Sequence, residues 1–209
     1  MNNLNDLDIS LLGFISAMPM HGYELHKQVT DLSGFGIVWK IKIGKLYSLL
    51  NKLEKEGLIK STFAKEGNRP ARNKFLITLE GKNIYDGWLI SPVNRGRDFR
   101  IIFLLKLYFS LKNGIEYANQ LIASQINTCN IWLSDMLLLT QKDLISKNRV
   151  IDSFPIIVNK YRQTQIKGYL AWLEWCKEFI KRDWNEKNIS FVIGNYMDHR
   201  KLYKYRYIN

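Results

Sequence analysis

The sequence predicts a mainly α-helical protein with one small β-hairpin, and three observations predict it. Apolar residues recur at three- and four-residue spacing along most of the 209-residue chain, the period of an amphipathic helix. Two extended segments, Leu58 to Lys65 and Arg72 to Ile77, flank Glu66-Gly67-Asn68-Arg69-Pro70-Ala71, a stretch that cannot stay helical. From about Arg97 to Trp184 breakers are few, so this part reads as long helices. With 46% hydrophobic and 24% charged residues, 4 Pro and 13 Gly, the composition excludes a disordered or fibrous chain.

Leu4, Leu7, Leu11, Leu12 and Ile15 define the first helix, which ends before Pro19. The second runs from about Gly22 to Leu32, with Tyr23, Leu25 and Val29 as candidates for its inner face, and Gly34 and Gly36 stop it. The third, from about Ile43 to Glu56, carries Leu46, Leu49, Leu50 and Leu53 on one stripe and is closed by Gly57. The hairpin follows. Thr78 then caps a fourth helix that has Glu80 in its first turn and ends near Trp88. At Ser91-Pro92-Val93-Asn94-Arg95-Gly96, Pro92 pushes Ser91 out of helical geometry, which predicts a linker. Beyond it, Phe99 to Leu111, Ile115 to about Gln141, and Pro155 to Trp184 read as three helices. The expected organisation is a first domain at residues 1–90, a linker at 91–96, a helical domain at 97–184, and a basic, Tyr-rich tail at 185–209 of unassigned conformation.

Lys and Arg total 31 against 19 Asp and Glu, a net charge of +12, so the surface field attracts polyanions such as nucleic acid or an anionic membrane. The N-terminal MNNLNDLDISLLGF lacks the basic and long apolar regions of a signal peptide, and no stretch reaches about 18 uncharged apolar residues. The expectation is a cytoplasmic protein with no membrane partner. Cys129 and Cys176 have no His or Cys spaced to join them in a metal site, so buried reduced thiols are expected, with no metal and no cofactor. His21, His26 and His199 fit no HExxH pattern and show no local link to a nucleophile, and no glycine-rich loop precedes a helix, so no enzyme is expected.

Three helices followed by a two-stranded hairpin is the order of a winged helix-turn-helix, in which the third helix enters the major groove and the hairpin reaches the neighbouring backbone. The exposed positions of the third helix are Lys42, Lys45, Tyr47, Ser48, Asn51, Lys52 and Lys55, with acids only at its far end, Glu54 and Glu56. A phosphate near Lys42 and Lys45 meets side-chain charge and helix dipole of the same sign. Around the hairpin turn, Lys65, Arg69, Arg72 and Lys74 stand against one acid, Glu66.

His21-Gly22-Tyr23-Glu24-Leu25, then Gly44-Lys45-Leu46-Tyr47 with Leu50, Leu53-Glu54 and Gly57-Leu58-Ile59, then Ile77-Thr78 and Gly81, resemble the PadR family of bacterial transcriptional regulators over about residues 9–90. The segment from Arg97-Asp98-Phe99 to Leu170-Ala171-Trp172-Leu173-Glu174 resembles, more loosely, the helical C-terminal domain of the PadR-like subfamily that includes virulence activators. The resemblance implies a homodimeric regulator of double-stranded DNA, released by a small-molecule effector that in some members is a phenolic acid, with Tyr23 and Tyr47 close to the DNA backbone. Two departures prevent any operator sequence from being carried over. Lys45 stands where the family usually has a small hydroxyl residue, and Asn73-Lys74-Phe75 replaces a basic-aromatic-aromatic run.

The apolar surface of the first helix and the long helices exceeds what a small bundle hides, which points to a dimer. The residues expected at the subunit contact are Leu4, Leu11, Cys129, Trp132, Leu133, Met136, Trp172, Cys176 and Phe179. Two other uses of the basic surface stay open at this point: a protein-interaction module that docks an acidic partner without reading DNA, and a co-regulator that needs a second DNA-bound protein.

Overall fold

Asn5 starts the chain's first helix by a reciprocal cap. Its side chain accepts from the Asp8 backbone N–H at 2.9 Å, and the Asp8 carboxylate accepts from the Asn5 N–H at 3.1 Å. The computed structural model describes residues 4–31, 34–64, 72–145 and 153–183. In order these form α1 (Asp6–Ala17), β1 (Met20–His21), α2 (Gly22–Thr30), a 3₁₀ turn (Phe35–Ile37), α3 (Ile43–Lys55), β2 (Ile59–Ala64), β3 (Arg72–Ile77) and α4 (Leu79–Ile90). A second 3₁₀ turn (Gly96–Asp98) and a π turn (Phe99–Phe103) lead into α5 (Leu104–Asn113), followed by α6 (Ile115–Ile145) and α7 (Ser153–Asp183). The mainly helical class with a small β wing is the one the sequence predicts. The tip of the hairpin and the tail at 185–209 lie outside the described residues.

The end of α3 explains the turn into the wing. Gly57 adopts φ +72°, the left-handed conformation that glycine reaches without a Cβ penalty, and the Leu58 N–H then donates to Leu53 O at 2.9 Å. The Thr78 hydroxyl donates to Gly57 O at 2.8 Å and accepts from the Gly81 N–H at 3.1 Å, so one side chain joins the end of α3 to the start of α4. The sheet has three strands in the order β1-β3-β2, both pairings antiparallel. The hairpin β2–β3 is the expected one, and β1 is an addition: Met20 and His21 pair with Phe75 and Lys74.

Two compact units make up the chain, Met1–Thr128 and Cys129–Asn209. In the first, Leu11, Leu12, Leu46, Leu50, Leu53, Phe103 and Leu105 are fully buried, each contributing about 1.5–3 kcal/mol of hydrophobic stabilisation. The helix beginning at Phe99 belongs to this unit, where Lys106 of α5 donates to Trp88 O of α4. The segment expected as a linker is pinned: Val93 is buried, and its backbone N–H and C=O both bond the Gln125 side-chain amide, at 2.8 and 3.3 Å.

In the second unit Ile166, Leu173, Ile180 and both cysteines are buried, and burial pushes the Cys176 thiol up to about 11, an unreactive state. Of the residues expected at a subunit contact, Leu11 is 0% exposed within its own chain and has no surface to offer a second one. Cys129 and Cys176 are buried in the same way, because each faces the interior of the chain's own helical packing. Leu4, Trp132, Leu133, Met136, Trp172 and Phe179 are half-buried. Among the described residues no helix is long and apolar enough to cross a membrane, and no group of three His, Cys, Asp or Glu side chains could hold a metal ion.

Candidate nucleic-acid interface

With Leu46, Leu49, Leu50 and Leu53 turned inward, the opposite face of α3 is left to solvent. That face carries Gly44, Ser48, Asn51 and Lys55, flanked by Lys45 and Tyr47, and every one of them is exposed. Lys42 occupies the N-cap in extended conformation and makes no side-chain cap bond, so the first N–H groups of α3 point out beside two ammonium groups. Glu54 on the same helix is turned away, because its carboxylate accepts from the Ser61 N–H of β2 at 2.8 Å. Removing that charge from the exposed side leaves the face cationic.

Two contacts fix how α3 is held. The His26 ring on α2 bonds Ile41 O at 3.2 Å, immediately before α3 begins. The Tyr47 ring lies over the first turn of α2 so closely that a Cβ on Gly22 would sit 2.7 Å from it. Tyr47 therefore spans the two helices while keeping 41% of its surface, and Tyr23 on α2 stands 62% exposed on the second residue of that helix. His21, the N-cap of α2, bonds Asn73 O of β3 through Nδ1 at 3.1 Å, tying α2 to the wing.

Lys52 differs from its neighbours on α3. It pairs with the buried Asp8 carboxylate of α1 at 2.5 Å and is itself one-third exposed, so its charge is committed inside the unit. On the wing, Lys74 is half-buried and sits opposite Thr62, on the same outward face of the hairpin as Lys60. Lys60 is an exposed cation missing from the expected set, and the alternation of buried Ile59 with exposed Lys60 and Thr62 is the signal that places it. Lys65, Arg69 and the side chain of Arg72 lie outside the described residues.

Residues 11–86 match the model of the transcriptional regulator PadR-like family. Among solved structures, a PadR-like transcriptional regulator from Bacillus cereus is 30% identical, covering 39% of this chain and 75% of its own, with a TM-score of 0.34. PadR of Bacillus subtilis in complex with operator DNA is 24% identical, covering 81% of this chain and 97% of its own, with a TM-score of 0.40. The same protein in complex with p-coumaric acid covers 85% of this chain and 100% of its own, with 24% identity and a TM-score of 0.37. No curated protein matches the sequence.

Proposed function

We propose that this chain, which belongs to the PadR-like family of transcriptional regulators, acts as a homodimeric repressor that binds double-stranded DNA at an inverted repeat. Each α3 enters a major groove, with the half-sites about one or two helical turns apart. Lys42, Lys45 and the open N–H groups of α3 take phosphates, Tyr23 and Tyr47 lie along the backbone beside them, and Ser48 and Asn51 face base edges. Lys74 and the hairpin residues Lys65, Arg69 and Arg72 reach the adjacent backbone. The observation that carries this reading is the outward face of α3, cationic, exposed and cleared of Glu54.

Release follows binding of a small aromatic or phenolic effector, by analogy with the p-coumaric acid complex of the Bacillus subtilis protein. Self-association through the second unit is supported by its exposed Ile131, Leu138, Phe154, Ile157 and Trp175, apolar side chains that a second copy would cover.

The test is binding of the full chain to duplex DNA from its own upstream region, followed across a salt series. Because each neutralised phosphate releases a counterion, Lys45→Ala shallows the slope of log affinity against log salt by roughly one unit, while unfolding stability stays within about 0.5 kcal/mol. Lys52→Ala behaves in the opposite way. It leaves the Asp8 carboxylate buried without its ammonium partner and costs about 1–3 kcal/mol of stability, less than for a fully buried pair because Lys52 is partly hydrated. A salt slope unchanged in Lys45→Ala rejects this face as the phosphate-binding one.

A further inference from the structure

The outward row of α3 holds a residue whose chemistry is more informative than charge. Asn51 lies one turn beyond Ser48 and one turn before Lys55, and all three are exposed on the side opposite the buried leucines. The Asn51 amide makes no hydrogen bond to the described residues. Its neighbours are already engaged: Lys52 by Asp8, Glu54 by the start of β2, Tyr47 by Gly22. At the head of the row, Gly44 has nothing within 4 Å of where a Cβ would stand. Gly44 is the second residue of α3, so without a Cβ there the backbone of the first turn is open to close approach by an outside surface.

From Ser48 to Lys55 the helix rises about 10.5 Å, the height of about three base pairs. An amide held at the centre of such a row, at the floor of a major groove, presents one acceptor and one donor to base edges. Only adenine offers the matching pair there, an N6–H donor beside the N7 acceptor.

We infer that Asn51 is a specificity-determining residue: its Oδ1 accepts from N6–H and its Nδ2–H donates to N7 of one adenine in each half-site. The inference rests on the DNA-binding reading above. It places an A·T pair at the centre of the sequence read by α3, with Ser48 and Lys55 facing the flanking steps.

The full chain is used to select duplexes from a randomised pool, and the selected site is then rebuilt with 7-deazaadenine, which lacks the N7 acceptor, at each adenine in turn. At one adenine per half-site the analogue weakens binding by the wild-type chain roughly five- to hundredfold. The same analogue weakens binding by Asn51→Ala less than about twofold, because that variant has no amide to donate to N7. Thermal unfolding of Asn51→Ala matches wild type, since the side chain is exposed and bonds nothing among the described residues. Salt-sensitive binding in which Asn51→Ala lowers affinity uniformly, or in which no adenine shows coupling to residue 51, overturns the inference and leaves the DNA reading standing. Absence of salt-sensitive binding to any duplex overturns both.

Discussion

Lys106 sits in the apolar run of α5 with its ammonium buried, donating to Trp88 O at 2.6 Å and to Ser91 O and Oγ at 2.9 Å, and lying 4.6 Å from the Trp88 ring centroid. Those carbonyls close the C-terminal end of α4, where a positive charge is favoured by the helix dipole. Burial among neutral oxygens still lowers its pKa from 10.5 to about 8, with Asp6 acting in the other direction. Below pH 8 the native and unfolded chains both hold the proton, and the cost of burying charge is borne in full. As pH rises from about 8 towards 10.5 the native state gives up its proton first, so stability increases, on the order of 1–3 kcal/mol. Burial pushes the Tyr85 hydroxyl above its ordinary value of 10.0, so above pH 10 the unfolded chain ionises first and stability declines again. Urea unfolding between pH 7 and 10 should therefore show a rise above pH 8 that Lys106→Met abolishes; a wild-type stability flat or falling over that range contradicts the account. The lysine is visible in the sequence, but its partners lie 15 and 18 residues away, at the C-cap and in the last turn of α4, where no periodicity reaches. Lys52 makes the same point: it shares residue type and helix with Lys45, and only the fold brings Asp8, 44 positions earlier, against it.

Helices α1 and α5 meet through a cluster of rings, with Phe35 of the 3₁₀ turn at its centre: Phe14 lies 4.8 Å from it, Phe109 5.5 Å and Tyr108 5.6 Å, centroid to centroid. This joins α5 to the segment that leads into α3. Close packing here depends on Gly13, since a Cβ at that position would sit 2.6 Å from the Phe109 ring. At Gly81 the obstacle is different in kind, a backbone carbonyl, Leu58 O, at 2.1 Å, which already accepts from the Thr78 N–H at 3.0 Å. A ring can tilt, whereas a carbonyl fixed between a helix start and a strand start cannot. Gly13→Ala is expected to cost about 1–3 kcal/mol and Gly81→Ala more; equal or reversed midpoints in denaturant unfolding contradict this difference in rigidity. The boundaries of α1 to α4 and of the hairpin are legible in the sequence because capping residues, glycines and apolar spacing all act locally. The strand β1 is not, being two residues that become a strand only by pairing with β3 more than fifty positions later. Nor is the packing of α5, because apolar spacing reveals which face is buried without saying which element covers it.

In the proposed dimer, duplicated presentation of α3 matters as much as the chemistry of one copy. An inverted repeat binds two copies of α3 far more tightly than one only if they are held together, since the second contact then becomes intramolecular. The proposed hold is the second unit, where Trp175 stacks on Phe179 with centroids 5.1 Å apart and keeps 57% of its surface exposed in the single chain. The apolar spacing of the sequence points to Trp172 on the same helix, but Trp172 is half-buried within the chain, which makes its truncation a test of folding as much as of association. Trp175→Ala separates the two, because the exposed ring adds little to the fold of one chain. In a twofold interface it removes two rings, and truncating such a buried aromatic anchor weakens dimerisation by at least about tenfold. Sedimentation equilibrium should show that weakening, with an unfolding midpoint equal to wild type at concentrations low enough that both chains are monomeric. Binding to a duplex with both half-sites should fall while binding to a single half-site is unaffected. If the variant remains as dimeric as wild type, the exposed ring of α7 is not where two chains meet; if it dissociates and the two-site duplex is still bound as tightly, paired presentation of α3 is not the source of affinity.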